Sequence, residues 1–369
     1  MFIARLLSTY TFRVGLQSGL FEGPLVDDQN SNSNYMLQPQ SLSCVLSIKG
    51  SPFSRSRRII SFMPEISDYH IGKQIGRGRF GHVFRVQRKA DQKVYACKVL
   101  FKKELIENNV MAQLMKEIEI QYKISHKYCL KLRDVVQDHK RVFLICDLAD
   151  NGNLWTYLKR LKRFPSKIAG KYVRQLLSAL VYLHSKDIIH RDIKPENLLC
   201  GSCGDLLLAD FGWSTRLDKD EARMTLCGTP DYLPPEMLCH EEYTSAVDSW
   251  CVGVLLYEFL TGGAPFTGAS NAETFSRIRR GEYYVSDELI SEGARSFLGC
   301  SLRVNPEKRY SAGELYLHPW TQEQDEEGTS IVEHEKKLQD SAPAAKVKGD
   351  RQSVDSLLGD DENRLENLM

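Results

Sequence analysis

Four short motifs follow one another in fixed order between Gly76 and Gly212, and few folds can bring such distant polar segments to one place. The last two constrain the chain most. His190-Arg191-Asp192-Ile193-Lys194-Pro195-Glu196-Asn197 is followed by Asp210-Phe211-Gly212, a pairing suited to phosphoryl transfer. In such a site Asp192 accepts the hydrogen of an attacking hydroxyl, while Asn197 and Asp210 supply hard oxygen ligands to magnesium on the phosphates of ATP. Lys194 adds positive charge beside the transferring group. The transition state spreads negative charge over phosphoryl oxygens, so fixed cations and in-line positioning matter more than covalent chemistry.

The other parts of such a site lie upstream in the required order. Gly76-Arg77-Gly78-Arg79-Phe80-Gly81-His82-Val83 is a glycine loop, in which missing β-carbons let backbone amides approach phosphates. Val94-Tyr95-Ala96-Cys97-Lys98 reads as a strand that carries Lys98 to the α- and β-phosphates. Glu117, nineteen residues on, lies in the helical pattern Leu114, Ile118, Tyr122, Ile124 and is placed to pair with Lys98. Taken singly, Lys98 is an ordinary strand charge, Glu117 a helix-surface acid, and Asp192 and Asn197 turn residues. The ordered set reverses each of those readings.

The length of 369 residues and the 42% hydrophobic content suffice for one large two-lobed domain with tails, or for two modest domains. The last 49 residues carry thirteen acidic and six basic side chains, which leaves the rest about +8 against a chain total of +1. Ten cysteines without a regular framework suit a reducing compartment. Cys200 and Cys203 resemble half of a zinc site or a redox motif but sit among glycines where a tight turn is expected. The longest apolar run, Trp250 to Tyr257, is stopped by Glu258 and reads as a buried helix, so no membrane segment is expected. Residues 1–20 weakly resemble a mitochondrial presequence. A leader without fixed structure, or an extension upstream of Met63, is the preferred reading.

Residues 1–66 are expected to be a flexible extension, being rich in Ser, Asn, Gln and Pro from about residue 23. Alternation from Tyr69 to Val99 predicts three strands, followed by the Glu117 helix and strands near Lys131–Val136 and Arg141–Cys146. Beyond the Asn151-Gly152 turn the periodicity predicts helices over Leu154–Leu161, Lys167–His184, Ala246–Leu260, Asn271–Gly281 and Glu288–Leu302. The fold class is α+β, with a sheet-rich lobe over about 69–147, a helical lobe over about 150–320, and a disordered acidic tail over 321–369. ATP belongs in the cleft between lobes. By motif position, Val83, Ala96 and Leu199 enclose adenine, and the backbone of Asp147 to Ala149 offers it hydrogen bonds.

Across 69–320 these residues resemble the eukaryotic protein kinases, and two stretches resemble the Aurora kinases in particular. These are Asp210-Phe211-Gly212-Trp213-Ser214 and Tyr232-Leu233-Pro234-Pro235-Glu236-Met237. The stretches Lys98-Val99-Leu100-Phe101-Lys102, Glu117-Ile118-Glu119-Ile120-Gln121 and Thr225-Leu226-Cys227-Gly228-Thr229 agree. Gln121 resembles the polar member that Aurora kinases place in an apolar spine, here with Leu132, His190 and Phe211. Two departures mark a divergent member. Pro230 stands where Aurora kinases carry leucine, and Cys146 stands at the gatekeeper position.

The resemblance implies a two-lobed protein kinase fold, magnesium and ATP as cofactors, and serine/threonine specificity through Thr229 beside Asp192 and Lys194. Glu196 and Glu258 match positions that bind substrate arginine, implying protein substrates with arginine two residues before the target. Asn153, in place of an acid, argues against strict selection three residues upstream. Thr225 is the implied activating phosphorylation site, with Arg191, Arg223 and Lys116 as ligands of the phosphate. Glu236 and Arg309 match a buried structural pair, and Asp248 the anchor of the catalytic loop. Further implications are mitotic chromatin and spindle substrates with histone H3 a candidate, a passenger-complex scaffold on the small lobe, and a place at nucleus, centromere, spindle and cytoplasm. Direct nucleic-acid binding is not implied. The rival readings are another basophilic kinase, disfavoured by a tail with no aromatic motif and too short for a polo-type domain, and a pseudokinase scaffold. The presence of Lys98, Asp192, Asn197 and Asp210 speaks against the scaffold.

Overall fold

The alternation of β3, Val94–Phe101, decides how the small lobe is built: Tyr95, Cys97 and Val99 point into a core while Ala96 and Lys98 point the other way. The computed structural model describes residues 64–78, 81–216, 229–285 and 287–341. Strands β1 (Tyr69–Gly78), β2 (Gly81–Arg88), β3, β4 (Leu132–Gln137) and β5 (Arg141–Asp147) form one antiparallel sheet in the order β1-β2-β3-β5-β4. Helices α1 (Lys102–Glu107) and α2 (Met111–Lys123) sit between β3 and β4 in the chain. The buried residues of α2 are Leu114, Glu117, Ile118, Ile120 and Gln121, two of the five polar.

One expectation fails on that helix. Tyr122, read as part of the apolar stripe, is 64% exposed. Gln121 takes the inward position because its amide finds the Leu130 carbonyl at 3.2 Å, which offsets the cost of burying it.

The large lobe comprises α3 (Leu154–Leu161), α4 (Ser166–His184), the short strands β6 (Ile188–Ile189), β7 (Leu198–Cys200), β8 (Leu206–Leu208) and β9 (Thr215–Arg216), and α5 (Pro235–Leu238). It continues through α6 (Ala246–Thr261), α7 (Asn271–Arg280), α8 (Glu292–Ser301), α9 (Ala312–Tyr316), α10 (Pro319–Gln322) and α11 (Ile331–Ser341). Helix α6 is buried nearly all round, as the apolar run around Trp250 predicts. It ends at Gly262, whose φ of +89° suits a glycine cap and whose Cβ, if present, would lie 2.3 Å from the Lys162 carbonyl. Helix α8 begins later than the expected Glu288, because Ser291 caps it by accepting from the Ala294 amide. Among the described residues no helix is long and apolar enough to cross a membrane.

The tail expectation needs correction. Residues 321–341 are ordered: Thr321 and Ile331 are fully buried, and Ser330 and Glu333 cap the start of α11 reciprocally. A polar, aromatic-free composition hid a segment held by side chains of α4. Residues 1–63 and 342–369, with the expectations placed on them, lie outside the described residues.

Candidate active site

Asp248, in the first turn of α6, is completely buried and organises the loop that carries the chemistry. Its carboxylate accepts from the amides of His190 (2.9 Å) and Arg191 (2.8 Å) and from His184 Nε2 (2.8 Å). Burial alone would raise its pKa; these donors outweigh burial and hold it below the usual carboxylate value. The charge is thereby kept inside the lobe, and the backbone before Asp192 is fixed. Arg191 adopts a φ of +68° there. Such a conformation costs energy in a non-glycine residue and persists because the two amides are pinned.

On that loop the polar side chains bind one another. Asp192, buried, accepts from Lys194 Nζ at 2.9 Å and from the Asn197 amide at 2.8 Å. The same amide nitrogen donates to the Asp192 carbonyl at 2.8 Å, so the amide oxygen of Asn197 is the end left for a ligand. Lys194 Nζ also donates to Thr229 Oγ1 at 3.1 Å, joining the loop to the end of the activation segment. Phe211 is fully buried with its ring edge-on to His190 at 5.1 Å. This sets Asp210 at a φ of +63° with an exposed carboxylate, whose Oδ1 accepts from the Gly212 amide at 3.3 Å.

The small lobe supplies the facing groups. Lys98 Nζ lies 3.4 Å from Glu117 Oε1. Burial pushes the Lys98 pKa down, but Glu117 and Asp210 pull it up further, so the ammonium stays charged between two carboxylates. Gln113, not singled out in the sequence, donates to the Gly212 carbonyl at 2.6 Å and links α2 to the segment after Asp210. Between the lobes opens a cleft of about 600 Å3, lined among others by Gly76, Val83, Ala96, Cys146 and Leu199. That volume suits a nucleotide-sized ligand.

Individual expectations fare differently. Gly76 and Gly78 border the cleft, but Gly81 has a reason of its own: a Cβ there would lie 1.8 Å from the Val99 carbonyl. That glycine is demanded by sheet packing. The Asp147 amide is used by the Lys131 carbonyl and its side chain by a two-pronged bond to Arg133 (2.6 and 2.7 Å), while Ala149 lines the cleft. Cys146 faces the cleft beside Ala96, and burial pushes its thiol up to about 12, so it is a neutral lining group. Cys200 is buried near the Tyr172 hydroxyl while Cys203 is exposed.

Glu258 and Glu196 converge with Asp231, a residue the sequence reading missed. Burial raises the Glu258 pKa and both neighbouring carboxylates add to it, while the Tyr232 hydroxyl donates to Glu258 and opposes the rise. Asn153 caps α3 by accepting from the Thr156 amide. Glu236 and Arg309 form the expected pair, two-pronged at 2.7 and 2.9 Å and wholly buried. Arg191 contacts the Trp213 carbonyl and the Tyr243 hydroxyl, and Lys116 is exposed. Thr225 and Arg223 lie outside the described residues.

Two lobes around such a cleft, with a pinned catalytic loop below and a lysine–glutamate pair above, define a protein kinase. The family model for the protein kinase domain matches residues 69–321. Within that class, the Aurora kinase of Schizosaccharomyces pombe is 42% identical over 74% of this chain and 76% of its own. Aurora kinase C of Mus musculus is 40% identical over 70% and 93%, and serine/threonine-protein kinase Aurora-1 of Arabidopsis thaliana 43% identical over 69% and 86%. The chain belongs to the Aurora family of serine/threonine protein kinases, with ATP as its phosphoryl donor.

Proposed function

We propose that this kinase transfers the γ-phosphate of magnesium-ATP to serine or threonine with arginine two residues upstream, and that phosphorylation of Thr225 switches it on. The observation that carries the first part is the bonded set Asp192, Lys194, Asn197 and Thr229. Asp192 holds an acceptor where a substrate hydroxyl presents its proton, and Lys194 offsets charge on the phosphoryl oxygens. Thr229 fixes Lys194 from the substrate side. A bound magnesium ion supplies positive charge to the phosphates. The donor set fits it: the Asn197 amide oxygen, with its nitrogen already committed, and the exposed Asp210 carboxylate are hard ligands.

Arginine selection is supported by the acidic surroundings of Glu258, on which Glu196 and Asp231 both act and where a guanidinium would be favoured. The Thr225 switch rests on its place in the chain with Arg191 and Arg223 as partners of the phosphate. Family membership supports mitotic chromatin and spindle substrates, histone H3 among the candidates. It also supports a nuclear, centromeric, spindle and cytoplasmic location, and a scaffold partner on the small lobe.

The test is phosphate transfer by the full chain from magnesium-ATP to a peptide library in which arginine is walked past a central serine or threonine, beside an Asp210→Asn variant. Transfer peaking with arginine two positions upstream and lost in the variant is expected. Equal transfer at every arginine position would refute the selection, and an active Asp210→Asn protein the site.

A further inference from the structure

The ordered chain runs past residue 321, where the kinase domain match ends, and its first carboxylate hub is Glu326. Glu326 accepts from Arg174 Nε, the Tyr316 hydroxyl and the Tyr128 hydroxyl, each at 3.0 Å. Its backbone carbonyl accepts from Gln175 Nε2 at 2.8 Å. Beyond it, buried Lys171 donates to the Gly328 carbonyl at 2.7 Å, and the Ile331 amide donates to the Tyr172 hydroxyl at 3.1 Å. Arg174, Gln175, Lys171 and Tyr172 all lie on α4, so most of these bonds join the segment to one helix of the large lobe.

The Tyr128 bond goes elsewhere. Tyr128 belongs to residues 124–131, the connection between α2 and β4, and is only 3% exposed. Its hydroxyl reaches the partly buried Glu326 carboxylate, a strong acceptor. The backbone on either side of Tyr128 pairs with β8: the Leu208 amide donates to the Tyr128 carbonyl, and the Leu130 amide to the Leu208 carbonyl, both at 2.8 Å. Leu208 stands two residues before Asp210. The Leu130 carbonyl accepts from Gln121, one turn along the face of α2 that carries Glu117. At its other end the connection is held by Tyr182, which stacks on His126 and accepts from the Ser125 amide. The connection that Glu326 contacts through Tyr128 is thus hydrogen-bonded both to α2, which carries Glu117, and to β8, two residues before Asp210.

We propose that Glu326 is a positioning residue for phosphoryl transfer: by holding Tyr128 it sets the 124–131 connection, and through it the seat of α2 and the approach to Asp210. The inference rests on the roles given above to Glu117 and Asp210. It makes the segment after residue 321 a working part of the enzyme, because a shift of this connection misaligns both groups at once.

The experiment is steady-state kinetics of the full chain, well below its unfolding temperature, for Tyr128→Phe, Glu326→Gln, their double variant, Tyr316→Phe and Asp210→Asn. Tyr128→Phe keeps the ring and removes one hydroxyl; Tyr316→Phe removes a hydroxyl from the same carboxylate on a side that does not reach α2. The expected result is a kcat lowered about three- to tenfold in Tyr128→Phe and in Glu326→Gln, with KM for ATP moved by less than about twofold. The double variant should fall no further than the lower single one, since the part of each loss that bears on kcat acts through the same Tyr128–Glu326 contact, which Glu326→Gln weakens by removing the charge and Tyr128→Phe by removing the hydroxyl. Tyr316→Phe should retain the parent kcat. A Tyr128→Phe protein as active as Tyr316→Phe, or losses that multiply in the double variant, would overturn the proposal. Should Asp210→Asn stay active, it is the site reading that fails, and the two results are read independently.

Discussion

The two halves of the site are held very differently. In the large lobe the groups of the loop at 190–197 are bonded to one another or to a fixed anchor: Asp248 receives three hydrogen bonds in a fully buried setting, and Asp192, Lys194, Asn197 and Thr229 form a bonded set. In the small lobe Lys98 and Glu117 meet at 3.4 Å, longer than a good charge-assisted hydrogen bond. Asp210 is exposed, and α2 reaches it through Gln113 and Gly212. Folding alone sets the catalytic loop, whereas the nucleotide-facing groups depend on how α2 is seated. A switch or partner that changes activity without unfolding the enzyme has its leverage on the second half.

The contrast can be broken or sharpened by substitution. Asp192→Asn, which keeps the shape of the fixed half but removes the proposed base, should lower kcat by roughly 10²- to 10⁴-fold with folding retained, as phosphate-transfer assays and thermal unfolding would show. Arg309→Ala strips the partner from a buried carboxylate. It should cost about 3–5 kcal/mol of stability, measured by denaturant unfolding. Glu117→Gln acts on the adjustable half and should cost about 10²-fold in kcat through misplacement of Lys98, with unfolding changed by less than about 1 kcal/mol.

Acid acts on the fixed half through Asp248. A carboxylate whose folded pKa is lowered contributes stability that is complete above its unfolded value, 3.8 here, and lost as pH falls below it toward the folded value. Unfolding followed by circular dichroism should show that stability vanish in Asp248→Asn. The smallest effect belongs to Asp147→Ala: its pair with Arg133 is partly exposed, so KM for ATP should rise by less than about fivefold.

Much of this was legible in the chain. Period-two and helical patterns located the five-stranded sheet and the long helices, and the ordered motifs selected the residues that meet at the cleft. What escaped was held by distant partners. Tyr122 lies outside the buried face while Gln121, inward as the resemblance implied, is held by a carbonyl outside the helix. Helix α11 has a short apolar anchor at Ile331, secured by Tyr172 far back in the chain, so local composition gave no sign of it. Asp231 joins Glu196 and Glu258 through tertiary folding, with no spacing that marks it. Gly81 looked like a phosphate-loop glycine, and the Val99 carbonyl shows a second demand on it.

The central claim, a preset lower half and an adjustable upper half, is tested most directly by hydrogen exchange of the full chain with and without magnesium-ATP. The account predicts that the amides of His190 and Arg191, bonded to Asp248, are equally protected in both states, while amides of α2 gain protection when the nucleotide is bound. Catalytic-loop amides that exchange freely until ATP binds, with α2 unchanged, would contradict it.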